Sequence, residues 1–222
     1  MAHQPAYEAI LFDLDGTLTE SGIGITRSVA YALDRMDYPP ADDDTLRTFI
    51  GPPMVDLFMK LYGMTREEAM HGVEVYRERY ATIGLFENAV YPGIRELLGE
   101  LRQAGKRLAV ASSKPEAFVR QITDHFGLTE YFDEIVGPGL DEKRATKADV
   151  VHDTLVRLGM EDARDRAVMV GDTAHDVNGA RQVGLECVAV LYGYGTEAEI
   201  ASASPMVVVD TVAELREYLL SH

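Results

Sequence analysis

Residues Ala9-Ile10-Leu11-Phe12 form an apolar run that stops abruptly at Asp13. So short a run, bounded by polar and glycine residues, reads as a buried strand. In an open α/β sheet, ligands bind at the C-terminal end of such strands. Here that end carries Asp13-Leu14-Asp15-Gly16-Thr17. Were the backbone to stay extended, Asp13 and Asp15 would share a face, because side chains alternate with period two. Two carboxylates held close together are costly to ionise unless a cation joins them or one keeps a proton. That pattern suits one carboxylate as nucleophile or metal ligand and its neighbour as a general acid/base. Asp and Gly are also ordinary turn formers, so the spacing by itself leaves an Asx turn open.

The rest of the sequence narrows the choice. From Gly22 to about Glu87 the pattern is helical and contains no good strand. Apolar residues recur at Ile25, Val29, Ala32, Leu33 and Met36, and further helices are expected over 45–50, 54–62 and 65–83, the last opened by a Thr65/Glu68 capping box. That stretch is too long for a strand-to-helix crossover, so an all-helical insert is expected. Strands then alternate with helices. The strands are 107–111, 134–136, 167–170, 187–191 and 207–209. The helices are 94–104, 116–126, 147–158, 177–183 and 212–220. Such alternation predicts a mostly parallel sheet with helices on both faces. The expected domains are 1–20 with 88–222 as a Rossmann-like α/β core, and 21–87 as the inserted helical cap.

Composition excludes several function classes. The protein has 21 Lys and Arg against 37 Asp and Glu, a formal net charge of −16, which disfavours nucleic acid and anionic membranes as partners. No apolar run approaches a membrane span, and the N-terminus shows no signal region, so a cytoplasmic protein is expected. The single cysteine, Cys187, lies in an apolar stretch and reads as core.

Four strand ends carry polar chemistry: Asp13/Asp15, Ser112/Ser113, the Lys143-to-Lys147 region, and Asp172/Asp176. In a parallel sheet these ends lie at one edge and can converge. Carboxylates offer hard oxygens to Mg²⁺, which commonly bridges protein carboxylates and substrate phosphate. The Ser112 hydroxyl and N–H groups there and at the following helix start can cradle phosphate oxygens. A lysine can compensate charge on the reacting groups. Together the parts call for phosphoryl transfer.

The sequence resembles the haloacid-dehalogenase-like phosphohydrolase superfamily from Ile10 to about Leu215, in the branch of phosphoglycolate phosphatases and 5′-nucleotidase-like proteins. Asp13-Leu14-Asp15-Gly16-Thr17-Leu18-Thr19 is similar to its first motif, Ser112 to the hydroxyl of the second, and Gly171-Asp172-x3-Asp176 to the acidic fourth. The resemblance implies a Rossmann-like core with a helical cap that closes over a Mg²⁺ site. It implies Asp13 as nucleophile, forming an aspartyl-phosphate, and Asp15 as acid/base. The Asp13 and Asp172 carboxylates and the Asp15 backbone carbonyl would hold Mg²⁺, with Asp176 supporting the metal waters and the lysine. Gly16, Ser112, Ser113 and Lys114 would line the phosphate. Lys147, in Leu140-Asp141-x5-Lys147-Ala148-Asp149-Val150, matches the catalytic lysine of the nucleotidase-like branch, ahead of Lys143. Dehalogenases of the superfamily lack the second carboxylate of the Asp-x-Asp pair, which argues against that activity here. Arg47, Gly51 and Pro52 are candidate substrate-facing cap residues, with Phe49 and Lys60 nearby. Tyr192-Gly193-Tyr194-Gly195 resembles a loop of the same branch.

The expected protein is therefore a Mg²⁺-dependent phosphomonoesterase, monomer or homodimer, acting on a small phosphorylated metabolite. A nucleoside 5′-monophosphate comes first and 2-phosphoglycolate second, with a phosphomutase next and a non-catalytic binding protein last. His175, between the two acidic residues, is expected near the entrance rather than as base or ligand.

Overall fold

The computed structural model of the protein describes residues 7–140 and 146–222. In sequence order it forms β1 (Ala9–Phe12), β2 (Thr19–Glu20), α1 (Gly22–Arg35), α2 (Asp43–Arg47), α3 (Met54–Tyr62), α4 (Arg66–Tyr80) and β3 (Ala89–Val90). It continues through α5 (Ile94–Gln103), β4 (Arg107–Ala111), α6 (Glu116–His125), β5 (Glu134–Val136) and α7 (Lys147–Arg157). It closes with β6 (Ala167–Gly171), α8 (Ala174–Gln182), β7 (Glu186–Val190), α9 (Glu197–Ala203), β8 (Val207–Val209) and α10 (Val212–Ser221). One compact unit is Glu20–Ala89; the residues on either side of it form the other.

The larger unit is built on a six-stranded sheet of order β5-β4-β1-β6-β7-β8, with its strands paired in parallel. The α/β class and parallel sheet expected from the sequence are what the protein forms. Parallel strands need helical crossovers, and helices then cover both faces. That is why β1 and β6 are apolar throughout: each residue of Ala9–Phe12 is fully buried. Leu11, Ala109 and Met169 pack with Val150, Val151 and Leu155 of α7 and with Val177 and Ala180 of α8. Helix α5 also packs on β4 and buries Ile94, Leu97, Leu98 and Leu101 completely. Truncating a fully buried leucine such as Leu11 to alanine costs about 2–5 kcal/mol.

The register decides where chemistry can occur. Phe12 lies beside Val110 of β4 and Val170 of β6, so the three central strands end almost level. Asp13, Ser112 and Asp172 therefore leave the sheet together. The order also reverses at β1, with β4 on one side and β6 on the other, and this is the switch point at which α/β sheets bind ligands.

The unit Glu20–Ala89 is helical. Helices α1 and α4 pack together, as do α3 and α4. Phe49 and Phe58 meet with ring centroids 5.1 Å apart, and Tyr76 stacks on Tyr80 at 4.9 Å. The Thr65/Glu68 capping box opens α4 as expected. The second helix starts earlier than its apolar pattern suggested, at Asp43, because the Asp42 side chain accepts from Thr45 N and starts the turn there.

Candidate active site

Asp13 follows β1 directly, and its N–H donates to Val170 O at 2.9 Å, which ties the turn to β6. Facing it is Lys147, the first residue of α7. A capping box fixes that helix start: the Thr146 hydroxyl accepts from Asp149 N, and the Asp149 carboxylate accepts from Thr146 N. Lys147 is 2% exposed, and its Nζ reaches Asp13 Oδ1 at 2.7 Å, Asp176 Oδ1 at 2.7 Å and Ala111 O at 2.8 Å. Three acceptors match the three protons of an ammonium.

Asp172 follows β6 directly and is fully buried. Tyr194 N donates to its Oδ2 at 2.8 Å, and the Thr17 hydroxyl to its Oδ1 at 3.3 Å. Gly16, at φ +83°, makes this approach possible, since a Cβ there would lie 2.0 Å from Asp172 Oδ2. Asp176 lies in the first turn of α8, with its Oδ2 accepting from Thr173 N at 3.1 Å and from the Thr173 hydroxyl at 2.7 Å. This capping box starts α8 at Ala174, three residues before its apolar pattern suggested.

The charges do not balance. Oxygens of Asp13, Asp172 and Asp176 lie within 4.8 Å of one another, with the Lys147 ammonium among them. Burial raises the Asp13 carboxyl to about 6; Lys147 opposes this, and the Asp176 and Asp15 charges add to it. Burial, then the charges of Asp176 and Asp13, push Asp172 well above the usual carboxylate range. Burial would also raise Asp176, but Lys147 and the Thr173 hydrogen bonds more than offset it and hold it low. Burial by itself lowers Lys147, and Asp13 and Asp176 reverse that, keeping it charged. The set is hard, oxygen-only and over-supplied with negative charge, which fits a divalent cation.

A second buried pair lies alongside. Lys114 Nζ contacts Asp15 Oδ1 at 2.7 Å, with side chains 7% and 9% exposed. Asp13 and Asp15, two positions apart, are thus held by different lysines. The Ser113 hydroxyl is buried and lacks a hydrogen-bond partner among the described residues.

The model of the family described as haloacid dehalogenase-like hydrolase matches residues 10–190. The protein belongs to this family. A 5′-nucleotidase of Pseudomonas aeruginosa is 43% identical over 216 residues, covering 97% of each protein. Tyrosine-protein kinase PtkA of Mycobacterium tuberculosis is 40% identical over 215 residues, covering 96% of this protein and 72% of the kinase. The crystal structure of a predicted phosphatase from Clostridium acetobutylicum superposes with a TM-score of 0.93 at 42% identity, covering 98% of this protein and 100% of that one. Family membership and the acidic cluster together make this haloacid dehalogenase-like hydrolase a phosphatase acting on a small phosphate ester. Among the described residues, no helix is long and apolar enough to cross a membrane.

Of the residues singled out in the sequence, the fold gathers Asp13, Asp172, Asp176 and Lys147 into one cluster and places Asp15 with Lys114. Lys143 lies outside the described residues. Two of the N–H groups expected to meet phosphate after β4 are already engaged. Ser112 N donates to Val136 O at 3.1 Å and Glu116 N to Pro138 O at 3.0 Å, because the backbone turns here against the end of β5. Arg47, Gly51, Pro52 and Lys60 are exposed on the helical unit, whereas Phe49 is buried against Phe58 and belongs to that unit's core. His175 is exposed on α8, and partial desolvation lowers its imidazole from the usual range. Cys187 is buried, as its apolar setting implied. Thr17 and Tyr194 lie in stretches that the resemblance covers, but a hydroxyl or backbone N–H in a loop leaves no composition signal that marks its role.

Proposed function

We propose that the protein hydrolyses nucleoside 5′-monophosphates in two steps, with Asp13 as nucleophile and Mg²⁺ as cofactor. The observation that carries this reading is the grip of Lys147 on Asp13. With Oδ1 bonded to the ammonium at 2.7 Å, the carboxylate is fixed in one rotamer and its other oxygen is left for chemistry. In the first step that oxygen attacks phosphorus, the P–O bond to the leaving alkoxide breaks, and Asp15 delivers the proton the alkoxide needs. In the second, the Asp15 carboxylate takes a proton from water as the water attacks phosphorus. The bond to Asp13 breaks, and inorganic phosphate leaves.

Asp13, Asp172 and the Asp15 backbone carbonyl are the groups that would hold Mg²⁺. Asp176, its oxygens already engaged by Lys147 and Thr173, serves as a support. The cation supplies charge compensation to Asp13 and to the phosphoryl oxygens. Lys114 and the hydroxyls of Ser112 and Ser113 receive the phosphate beside Gly16. The unpaired Ser113 hydroxyl supports this assignment, since a buried donor without a partner is costly until a ligand meets it.

The nucleotide assignment is supported by the similarity to the 5′-nucleotidase over nearly the whole of both proteins. Phosphate release is to be measured on nucleoside 5′-monophosphates, 2-phosphoglycolate and hexose phosphates, each with Mg²⁺ and with EDTA. The expected result is a preference for the nucleotides that EDTA abolishes. A preference for 2-phosphoglycolate would replace the substrate while keeping the chemistry. The similarity to PtkA carries a second reading, in which a nucleoside triphosphate passes its terminal phosphoryl group to a protein tyrosine and leaves as the diphosphate. Labelled phosphate appearing on added protein instead of as free phosphate would favour it.

A further inference from the structure

After β7 the backbone enters Tyr192-Gly193-Tyr194-Gly195, which takes no part in the two steps. This loop lies flat against Asp172. A Cβ on Gly193 would be 2.3 Å from Asp172 Cβ and 2.4 Å from Gly16 O, and one on Gly195 would be 2.1 Å from Asp172 O. Larger residues would push the loop away and with it the Tyr194 N–H that holds Asp172 Oδ2.

Tyr192 reaches past Asp172 to the first acidic loop. Its hydroxyl donates to Thr17 O at 3.0 Å, and Thr17 is the residue whose own hydroxyl donates to Asp172 Oδ1. The Tyr192 ring meets Tyr91 edge-on at 5.0 Å, and Tyr91 N donates to Leu18 O at 3.1 Å, one residue beyond Thr17. The contacts form a closed circuit: Tyr192 to Thr17, Thr17 to Asp172, Asp172 to Tyr194, and Tyr194 back along the backbone to Tyr192. Each Asp172 oxygen thereby receives one neutral donor, which fixes the plane of the carboxylate and leaves lone pairs for a cation. Burial, and then the charge of Asp172, raise the Tyr192 phenol above its ordinary range.

We infer that Tyr192 is a positioning residue for the metal site: its hydroxyl ties down Thr17, and Thr17 sets the rotation of the Asp172 carboxylate. The inference rests on Asp172 being a metal ligand, as proposed above. A residue that only packed against Tyr91 would be replaceable by phenylalanine without effect on the metal.

The test is calorimetric titration of the substrate-free protein with MgCl₂, checked with Mn²⁺ by electron paramagnetic resonance. Tyr192→Phe is expected to weaken Mg²⁺ binding about fivefold, the factor that one neutral hydrogen bond commands. The Mg²⁺ concentration giving half-maximal rate should rise in step, while KM at saturating Mg²⁺ moves less than about twofold. In a Thr17→Val background, Tyr192→Phe should add no further loss, because the circuit is already open. Mg²⁺ affinity of Tyr192→Phe within about twofold of wild type would overturn the inference, even if the melting temperature fell. Asp172→Asn separates the two levels. If it abolishes Mg²⁺ binding while Tyr192→Phe does not weaken it, the positioning role fails and the metal site stands. If Asp172→Asn binds Mg²⁺ normally, the metal assignment fails and the inference with it.

Discussion

Each unit of the molecule contains a three-group charge cluster, and the two are near mirror images. In the sheet unit one base, Lys147, lies between two acids, Asp13 and Asp176. In the helical unit one acid, Glu87, lies between two bases, with Arg79 Nη1 at 2.8 Å and Arg27 Nη1 at 2.7 Å. The bond lengths match and the setting does not. Lys147 and Asp176 are 2% and 3% exposed, whereas Arg79, Glu87 and Arg27 are 18%, 20% and 61% exposed. Solvent disposes of the surplus positive charge around Glu87, so that cluster asks nothing of a ligand. The surplus negative charge around Lys147, increased by Asp172, is buried away from bulk solvent and becomes a demand for a cation. Burial converts the same arithmetic from surface decoration into chemistry.

The comparison can be broken at either end. The largest effect is expected from Asp13→Asn, which should lower phosphate release by more than about a thousandfold, since it removes the attacking group. Circular dichroism should show the fold intact, and turnover near wild type would end the covalent reading. Lys147→Met comes next. It leaves Asp13 and Asp176 buried without their counter-charge, at a cost of about 3–5 kcal/mol in urea unfolding. Saturating Mg²⁺ should restore part of that loss, as a second cation answers the same demand. Arg79→Met in the helical unit should cost only about 1 kcal/mol, with phosphate release and Mg²⁺ dependence as readouts that separate it from the Lys147 variant.

The smallest effect is a pH dependence. The Arg79 hydrogen bond, opposed by partial burial and aided by Arg27, holds the Glu87 carboxyl below the usual range. A depressed carboxylate contributes stability that is fully present above its unfolded pKa and lost as pH falls through the folded one. The gap in unfolding free energy between wild type and Arg79→Met should therefore be constant near neutrality and close as the solution is acidified below the ordinary glutamate range. A gap that persisted at low pH would mean that Arg79 acts through packing of its stem instead of its charge.

Much of the fold was legible because the sheet is buried on both faces, which prints its strands as short apolar runs such as Ala9–Phe12 and Ala167–Val170. What escaped was short or polar. Helix α9 has seven residues and only Ile200 and Ala203 buried, too few for a periodic stripe; its Thr196/Glu199 capping box was the available sign. Strands β2 and β3 have two residues each, below any pattern. At the site, the acidic residues announced themselves by type and spacing. Their partners were less plain: Lys147, which meets Asp13 across 134 positions, is marked by the family resemblance, whereas nothing marks Tyr192 as the partner of Thr17, which it meets across 175. Such pairings come from strand order and register, which the local sequence does not encode.

The backbone leaves the sheet unit and returns to it through β2 and β3, which pair as a two-stranded ribbon. From the sheet's side, everything in Glu20–Ala89 is a single closed loop whose ends already meet. The entropy of closing a loop grows only with the logarithm of its length, about 0.6 kcal/mol for each doubling. A helical unit of different length would therefore close the same ribbon at little extra entropic cost. The first acidic loop lies immediately upstream of that ribbon, so the chemistry sits beside, in sequence, an appendage whose closure cost hardly depends on its length.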